Sequence, residues 1–571
     1  MEQIEITPYS ITEQAEVLDL ARHALISLFE GKTPSQLQDD ADLLGIPSAE
    51  KVNITLRHAS RIRGSMSAPG ANLGRQVVQA VYRSAMDRRF GGPLTRWELL
   101  GTSLEVWIQI GSSELSLDAR FEKDILLLGI DGLEIEGNGK SAYYKPSVAV
   151  TSNKKSAVAL FEGLCKKAGL EKDAWHRSDV SVRKTQWLCL HSVSNTHFLG
   201  QELDAEAEVP VPFSDWIAES ASYLVRNQDA SGGTAYLYDP IADLFVPKKK
   251  TNLVRAAGCL FALSQVLQKS RSIAVGGTLK ACTVQMARGL LSRTLLTDDG
   301  RRVVQEEKLV ALPKVGATAL LAAALSGGLL REEFDREYQQ LYRSIVLAQK
   351  PDGRFMTRFG VIEERDREID FYSGQALLVL ALEAERGNTQ ALEMCRLAFQ
   401  PYALHFRTAP ASAFVGWHVD VWSQIALLTG DNAYAEFAFE QTDWLLQMQV
   451  KSHRDFRWVG GFSQSGAAPK FSSIVFLEAT VRALMLAVRT GDSDRTRKYA
   501  DCVRSGLQFC RLLRLEETPP TLLGNPMRCK GGVALGLVDR RVRCDVVQHF
   551  ITMCLVTEEI KDYLLQPAAV A

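Results

Sequence analysis

The sequence predicts a two-module protein, an α+β domain followed by an all-α (α/α)6 toroid, a closed double ring of six helix hairpins. Three observations carry this prediction. The chain has 571 residues, more than one ordinary domain holds. Up to about residue 190 it mixes β-type runs with helices, and beyond about residue 214 almost everything reads as helix. Between the two lies "LGQELDAEAEVPVPFSDW", acidic, without periodicity and carrying Pro210 and Pro212, as a connection between domains would be. The predicted layout is residues 1–194 for the first domain, 195–213 for the linker and 214–571 for the toroid.

In the first module "VNITLRH", "LEVWIQIG" and "DILLLGIDGLEIEG" are strand-like, and "NGK" is a turn after the last. A helix, "LGRQVVQAVYRSAMDRRFGGPLTRWEL", separates the first two, and "LFEGLCKKAGLEKDAW" follows the last. In this order, over about residues 15–190, the module resembles the AMMECR-one domain family. The most specific segments are "DRRFGGPLT", similar to the family's Asp-x-Arg-Phe-x-x-Leu-Thr, and "CKKAGLEKDAW". The family's Leu-Arg-Gly-Cys-Ile-Gly stands here as Ile62-Arg63-Gly64-Ser65-Met66-Ser67. Ser65 replaces the cysteine, and a hydroxyl needs a dedicated base before it can act as a nucleophile. His58 is the nearby candidate in sequence, and nothing supports its pairing with Ser65, which reads as a plain turn residue. The resemblance implies a pocket around Arg63, whose planar fork suits a carboxylate or phosphate, in a ligand or in an internal salt bridge.

The second module reads as helix pairs. Segments starting near Ser214, Gly276, Phe334, Asn388, Tyr434 and Asp494 have charged faces and are the predicted outer helices. Each precedes a helix apolar nearly all round: "NLVRAAGCLFAL", "KVGATALLAAAL", "DFYSGQALLVLAL", "HVDVWSQIALL", "IVFLEATVRALML" and "RCDVVQHFITMCL". Three outer helices end alike, at Gln228 before Gly232-Gly233, Gln349 before Gly353 and Gln449 before Gly460-Gly461, a helix stop repeated in register. Over about residues 210–560 this pattern resembles the six-hairpin glycosidase superfamily. That resemblance places working groups at the funnel mouth, on the first turns of the inner helices.

Three of those helices are expected to begin with Asp370, Asp420 and Asp545, each with a glutamine about one turn on. The pattern fits helix capping. It also fits paired carboxylates acting as acid and base on a sugar, with Tyr372, Trp417, His418 and Trp422 stacking on its rings. His549 is the further candidate acid/base group. Glu478 and Arg255 are charged groups in apolar helices, which demands a partner or an open funnel. The predicted site is therefore Asp420, Asp370, Asp545 and His549 for catalysis, with Tyr372, Trp417, His418, Trp422, Glu478, Arg255 and Arg63 for binding.

Lys plus Arg (66) balances Asp plus Glu (67), so no global field points to nucleic acid or an anionic membrane. The ten cysteines form no Cys-x-x-Cys pair and read as reduced, buried thiols of a cytoplasmic protein. No phosphate loop, dinucleotide fingerprint or ligand cluster implies a cofactor or metal. The expected function is action on a carbohydrate or glycan-like small molecule, by hydrolysis, epimerisation or elimination. The alternatives are a non-catalytic binding or scaffold protein, and a tailoring enzyme for a non-sugar metabolite that uses the first domain's pocket.

Overall fold

The computed structural model describes residues 8–191, 213–246, 252–269, 277–305, 312–360 and 366–565. The expected linker, 195–213, lies outside them apart from Phe213.

The N-terminal domain is a six-stranded antiparallel sheet built from β1 (Val52–His58), β2 (Arg61–Ser67), β3 (Thr102–Glu114), β4 (Gly132–Gly137), β5 (Lys140–Tyr144) and β6 (Ser181–His191), in the order β2-β1-β3-β6-β4-β5. Successive side chains of a strand alternate between faces. Ile54 and Leu56 of β1, Leu104, Val106 and Ile108 of β3, and Leu188 and Leu190 of β6 therefore share one face. They pack on the helices Ile11–Phe29 and Leu73–Ala85. The second of these helices approaches β2 so closely that a Cβ at Gly64 would lie 1.8 Å from the Ser84 carbonyl oxygen. Glycine at the centre of "RGS" is thus a packing requirement.

The opposite face is polar and equally buried. Asn53, Thr55 and Arg57 lie beside Glu105 and Trp107, then Cys189 and His191. Buried polar groups must find partners. Arg57 Nε donates to Glu105 Oε1 at 2.7 Å, and Trp107 Nε1 donates to Glu105 Oε2 at 2.9 Å. The second domain covers part of this face: Leu522 packs with Trp107, Val150, Trp187 and Cys189, and Thr521 Oγ1 lies 3.3 Å from His191 Nδ1.

Six inner helices, Leu253–Lys269, Val315–Leu325, Asp366–Glu385, Ser412–Thr429, Ser472–Thr490 and Cys544–Glu559, each touch the next, and the sixth touches the first. The ring closes. The outer helices Gly277–Leu291, Asp335–Ala348, Thr389–Thr408, Asn432–Leu446 and Ser493–Leu513 pack on the inner helix before them, while Phe213–Arg226 packs on the sixth inner helix. This is the (α/α)6 toroid. Small residues let the inner helices approach: a Cβ at Gly374 would sit 2.5 Å from Trp417 Cβ.

The repeated Gln–Gly phrases act as stitches as well as helix stops. The Nε2 of Gln228 donates to the carbonyls of Gly232 (3.2 Å) and Cys282 (3.1 Å). Gln349 does so to Gly353 (3.0 Å) and Met394 (2.8 Å), and Gln449 to Gly460 (3.1 Å) and Cys502 (2.9 Å). Each glutamine thereby ties its own turn to the next outer helix. The turn glycines Gly232, Gly353 and Gly460 have φ of 83°, 88° and 83°, the left-handed region open to glycine at no steric cost.

Candidate functional site at the toroid axis

Glu478 and His549 stand on the fifth and sixth inner helices, with Glu478 Oε2 2.7 Å from His549 Nδ1. The Trp417 ring, on the fourth, lies 5.6 Å from the His549 ring. The fourth and sixth inner helices are not neighbours in the ring, so a contact between them crosses the axial space. The tryptophan, imidazole and carboxylate therefore define the axis near the helix N-termini.

Asp545 sits beside this group in the first turn of the sixth inner helix. It accepts from Arg543 Nε at 2.5 Å and Nη2 at 2.8 Å, and forms an ion pair with Arg255 Nε, on the first inner helix, at 3.0 Å. Arg255 also reaches the Tyr236 hydroxyl. Asp545 makes no side-chain cap; its partners are guanidinium groups.

Asp420 departs from expectation. Its helix begins at Ser412, so it stands in the middle of the fourth inner helix and caps nothing. It pairs with Arg482 Nε at 3.0 Å and accepts from Gln424 Nε2 at 2.9 Å. Residues three or four apart share a helix face. Asp420 thus lies one turn below Trp417, and Arg482 one turn below Glu478, so this ion pair is the layer beneath the Glu478–His549 pair. Asp370 is in the first turns of the third inner helix and meets His405 Nε2 at 3.0 Å, on the outer helix Thr389–Thr408. Among the described residues the three aspartates share no hydrogen-bond or ion-pair partner.

The stretch Trp417 to Trp422 reads as one cluster in sequence but divides between helix faces, because each residue turns the direction by about 100°. Trp417 faces the axis. His418 and Trp422 are wholly buried on the other side, with the Trp422 ring stacked on Tyr434 of an outer helix. His418 Nδ1 accepts from Trp422 Nε1 at 3.2 Å, its Nε2 lies 2.9 Å from Ser373 Oγ, and burial holds its pKa well below the ordinary value. These two residues are core, which corrects their expected place on a substrate-lining loop. The Tyr372 ring lies across Gly316, where a Cβ would be 2.4 Å from Tyr372 Cδ1.

In the N-terminal domain Arg63 makes a two-pronged salt bridge to Glu98, Nε to Oε1 at 2.6 Å and Nη2 to Oε2 at 3.0 Å. It also donates to the carbonyls of Phe90 and Gly92. The hydrogen bond from Arg63, with those from Thr95, lowers the Glu98 pKa to about 2. Arg63 therefore clamps the "DRRFGGPLT" turn, the internal bridge foreseen as an alternative to ligand binding. His58 pairs in register with Arg61, away from Ser65, which stands opposite Thr55. Sequence reading passed over Lys145, which bonds Asn53 Oδ1 at 2.6 Å. The one local signal was the polar alternation Asn53, Thr55, Arg57 in an otherwise apolar strand.

Residues 18–186 match the AMMECR1 family model. The AMMECR1 region is 26% identical over 175 residues to Protein TV1384 of Thermoplasma volcanium, spanning 30% of this chain and 86% of that protein. It is 30% identical over 115 residues to Protein Ta0236 of Thermoplasma acidophilum, spanning 20% of this chain and 55% of that protein. Among solved structures, the alpha-1,6-mannanase GH76A of Salegentibacter sp. HEL1_6 is similar at 9% identity and a TM-score of 0.42, with 61% of this chain and all (100%) of that chain aligned. D-mannose isomerase is similar at 12% identity and a TM-score of 0.45, with 61% of this chain and 97% of that chain aligned. Among the described residues no helix is long and apolar enough to cross a membrane, and no cluster of metal-ligand type occurs.

Proposed function

We propose that the toroid acts on a carbohydrate or a related polyhydroxylated small molecule, by proton transfer at the Glu478–His549 pair. The observation that carries this reading is the 2.7 Å contact between the carboxylate and the imidazole, beside Trp417 on the ring axis. A carboxylate accepting from Nδ1–H fixes the tautomer and leaves the Nε2 lone pair as the base. Trp417 offers a flat apolar face to a sugar ring, and the Arg255–Asp545–Arg543 group offers donors and acceptors to hydroxyls.

Hydrolysis in its usual form needs two carboxylates flanking the glycosidic bond. Here Asp420 and Asp545 are each engaged by arginine, and Asp370 by His405. One histidine backed by one carboxylate suits the removal and return of a proton next to a carbonyl, so epimerisation or isomerisation of a reducing sugar is the favoured reaction. A cytoplasmic setting agrees with ten unpaired cysteines, nine of them buried.

The test is deuterium exchange in D2O into a panel of aldoses and their C2 epimers, followed by NMR. The full-length protein should exchange the C2 proton of at least one sugar, and His549→Gln should lower the rate at least about a hundredfold, the scale of general base catalysis. An exchange rate unchanged in His549→Gln would overturn the reading. No exchange with any sugar would turn it toward the binding or scaffold alternative.

A further inference from the structure

The polar face of the N-terminal sheet holds an unusual pairing: an amine sealed from solvent, joined through one hydroxyl to a second hydroxyl that solvent reaches. Lys145 is 9% exposed, and its Nζ contacts Asn53 Oδ1 at 2.6 Å and the Thr55 hydroxyl. Thr55 Oγ1 lies 3.1 Å from Ser65 Oγ, and each hydroxyl can turn its one proton either along this pair or to Asn53 Oδ1, which lies 3.1 Å from Thr55 Oγ1 and 3.3 Å from Ser65 Oγ. Thr55 and Ser65 stand opposite each other in the β1–β2 register, and β2 is the edge strand of the sheet. Ser65 is half-buried there.

We propose that Ser65 is a nucleophile for acyl transfer from carboxylic esters that carry a negative charge, with Thr55 and Lys145 as the relay that takes its proton. This inference is independent of the toroid's proposed function. In the first step Ser65 Oγ bonds to the ester carbonyl carbon. The Ser65 proton moves to Thr55 Oγ1 as the Thr55 proton moves to Lys145 Nζ. Collapse of the tetrahedral adduct breaks the bond to the alkoxide, which takes the proton back through the same chain and leaves as an alcohol. Water then repeats the sequence on the acyl-serine, releasing the acid and restoring Ser65.

Two features of the face support this assignment, and a third restricts it to a reactive acyl group. The first is charge. Burial, helped by Arg57 and Lys167, lowers the Lys145 pKa to about 7, with Glu105 and Cys189 opposing, so the free amine is present near neutral pH. The second is the rim. Lys51 and Lys167 lie 4.6 and 5.2 Å from the centre of the Tyr143 ring, whose hydroxyl meets Ser67 Oγ at 2.7 Å. Lys51 is paired with Glu134, while Lys167 is held by the Tyr143 carbonyl, so positive charge remains for an anionic acyl group. The third sets the leaving group. The backbone N–H of Ser65 is taken by Asp87 Oδ2 (3.1 Å) and that of Met66 by Ser84 Oγ (2.9 Å). With the backbone donors nearest the nucleophile occupied, the oxyanion is weakly held, which favours an ester over an amide.

The experiment uses the full chain and an alkyl phosphonofluoridate, which forms an Oγ–P bond to an activated serine and expels fluoride. Intact mass and peptide mapping should place one adduct on Ser65. Its rate should rise through pH 7 and fall at least about a hundredfold in both Lys145→Met and Thr55→Val, the range of general base catalysis. Thr55→Val nearly preserves side-chain volume, and circular dichroism confirms that each variant is folded, so loss of the fold is not mistaken for loss of the relay. Wild-type hydrolysis of p-nitrophenyl succinate should exceed that of the neutral butyrate and vanish in Ser65→Ala. The proposal is overturned by absence of an adduct on Ser65 in the wild type, by labelling of both folded variants at the wild-type rate, or by full esterase activity in Ser65→Ala.

Discussion

Lys145 and Glu105 are buried on one face of one sheet, and both titrate below their ordinary values for opposite reasons. Burial would raise the pKa of Glu105, but the charges of Arg57, Lys145 and His191 outweigh it and bring the value to about 2. For Lys145 burial wins, and the value falls to about 7 against roughly 10.4 in an unfolded chain. Below pH 7 both states of the chain hold the Lys145 proton, and the folded state carries the full desolvation penalty. Between about 7 and 10.4 the unfolded chain binds more protons, so this group's contribution to stability rises with pH. Lys145→Met removes that dependence. Its urea midpoint should stand highest relative to wild type at pH 6, and the gap should close toward pH 9.5; parallel profiles would refute the buried-amine account. Legibility at this scale was uneven. Arg63 could be read as a salt bridge because arginine beside a loop usually has one, but the partners of Lys145 lie 90 and 92 residues away. The alternation Asn53, Thr55, Arg57 marks a polar face on β1 but does not announce which residue reaches it.

Helix pairs were far more legible than sites, because a helix buried on all sides must be apolar on all sides. Every residue of Val315–Leu325 is buried, and its sequence "VGATALLAAAL" shows as much. Sequence neighbours on a helix point in different directions, so a cluster in sequence divides between faces in the fold. Trp417 and Trp422 illustrate this, and the Glu478–His549 pair, 71 residues apart, illustrates the converse. The Gln–Gly repeat lies between these cases: its period is visible, whereas its partner carbonyls on the following outer helix are not. A Cβ at Gly353 would lie 2.3 Å from the Leu397 carbonyl oxygen, on backbone already at φ 88°. Gly353→Ala therefore combines a left-handed alanine with a backbone clash, and should cost at least about 2 kcal/mol. Gln349→Ala should cost about 1–3 kcal/mol by leaving two carbonyls without their shared donor. Chemical denaturation checks both, and a Gly353→Ala variant as stable as wild type would refute the stitch.

At the scale of the whole molecule the toroid is also a lid on the N-terminal sheet. Leu522 is fully buried among Trp107, Val150, Trp187 and Cys189, and Ser60 Oγ donates to the Ile241 carbonyl at 3.1 Å. Farther along, Lys155 pairs with Asp539 at 2.6 Å, and Arg457 Nη2 donates to the Leu128 carbonyl at 2.9 Å. Beside these contacts a cavity of about 760 Å3 opens between the domains, with Phe121, Trp175 and Trp458 among its walls. A seam of this kind makes a specific prediction about cleavage. Limited proteolysis should cut first within 195–213, because that acidic, proline-bearing stretch has no periodic apolar face to pack. The two fragments should nevertheless elute together on gel filtration, since apolar burial, ion pairs and backbone hydrogen bonds join them without the connecting chain. Leu522→Asp should separate them, because a carboxylate placed among two indoles and a thiol loses several kcal/mol of solvation. Cleavage confined to other segments would remove the proposed boundary. Fragments that part without the substitution would reduce the seam to two domains held by their linker, and the covering of Trp107 and His191 by the toroid would then be incidental to both.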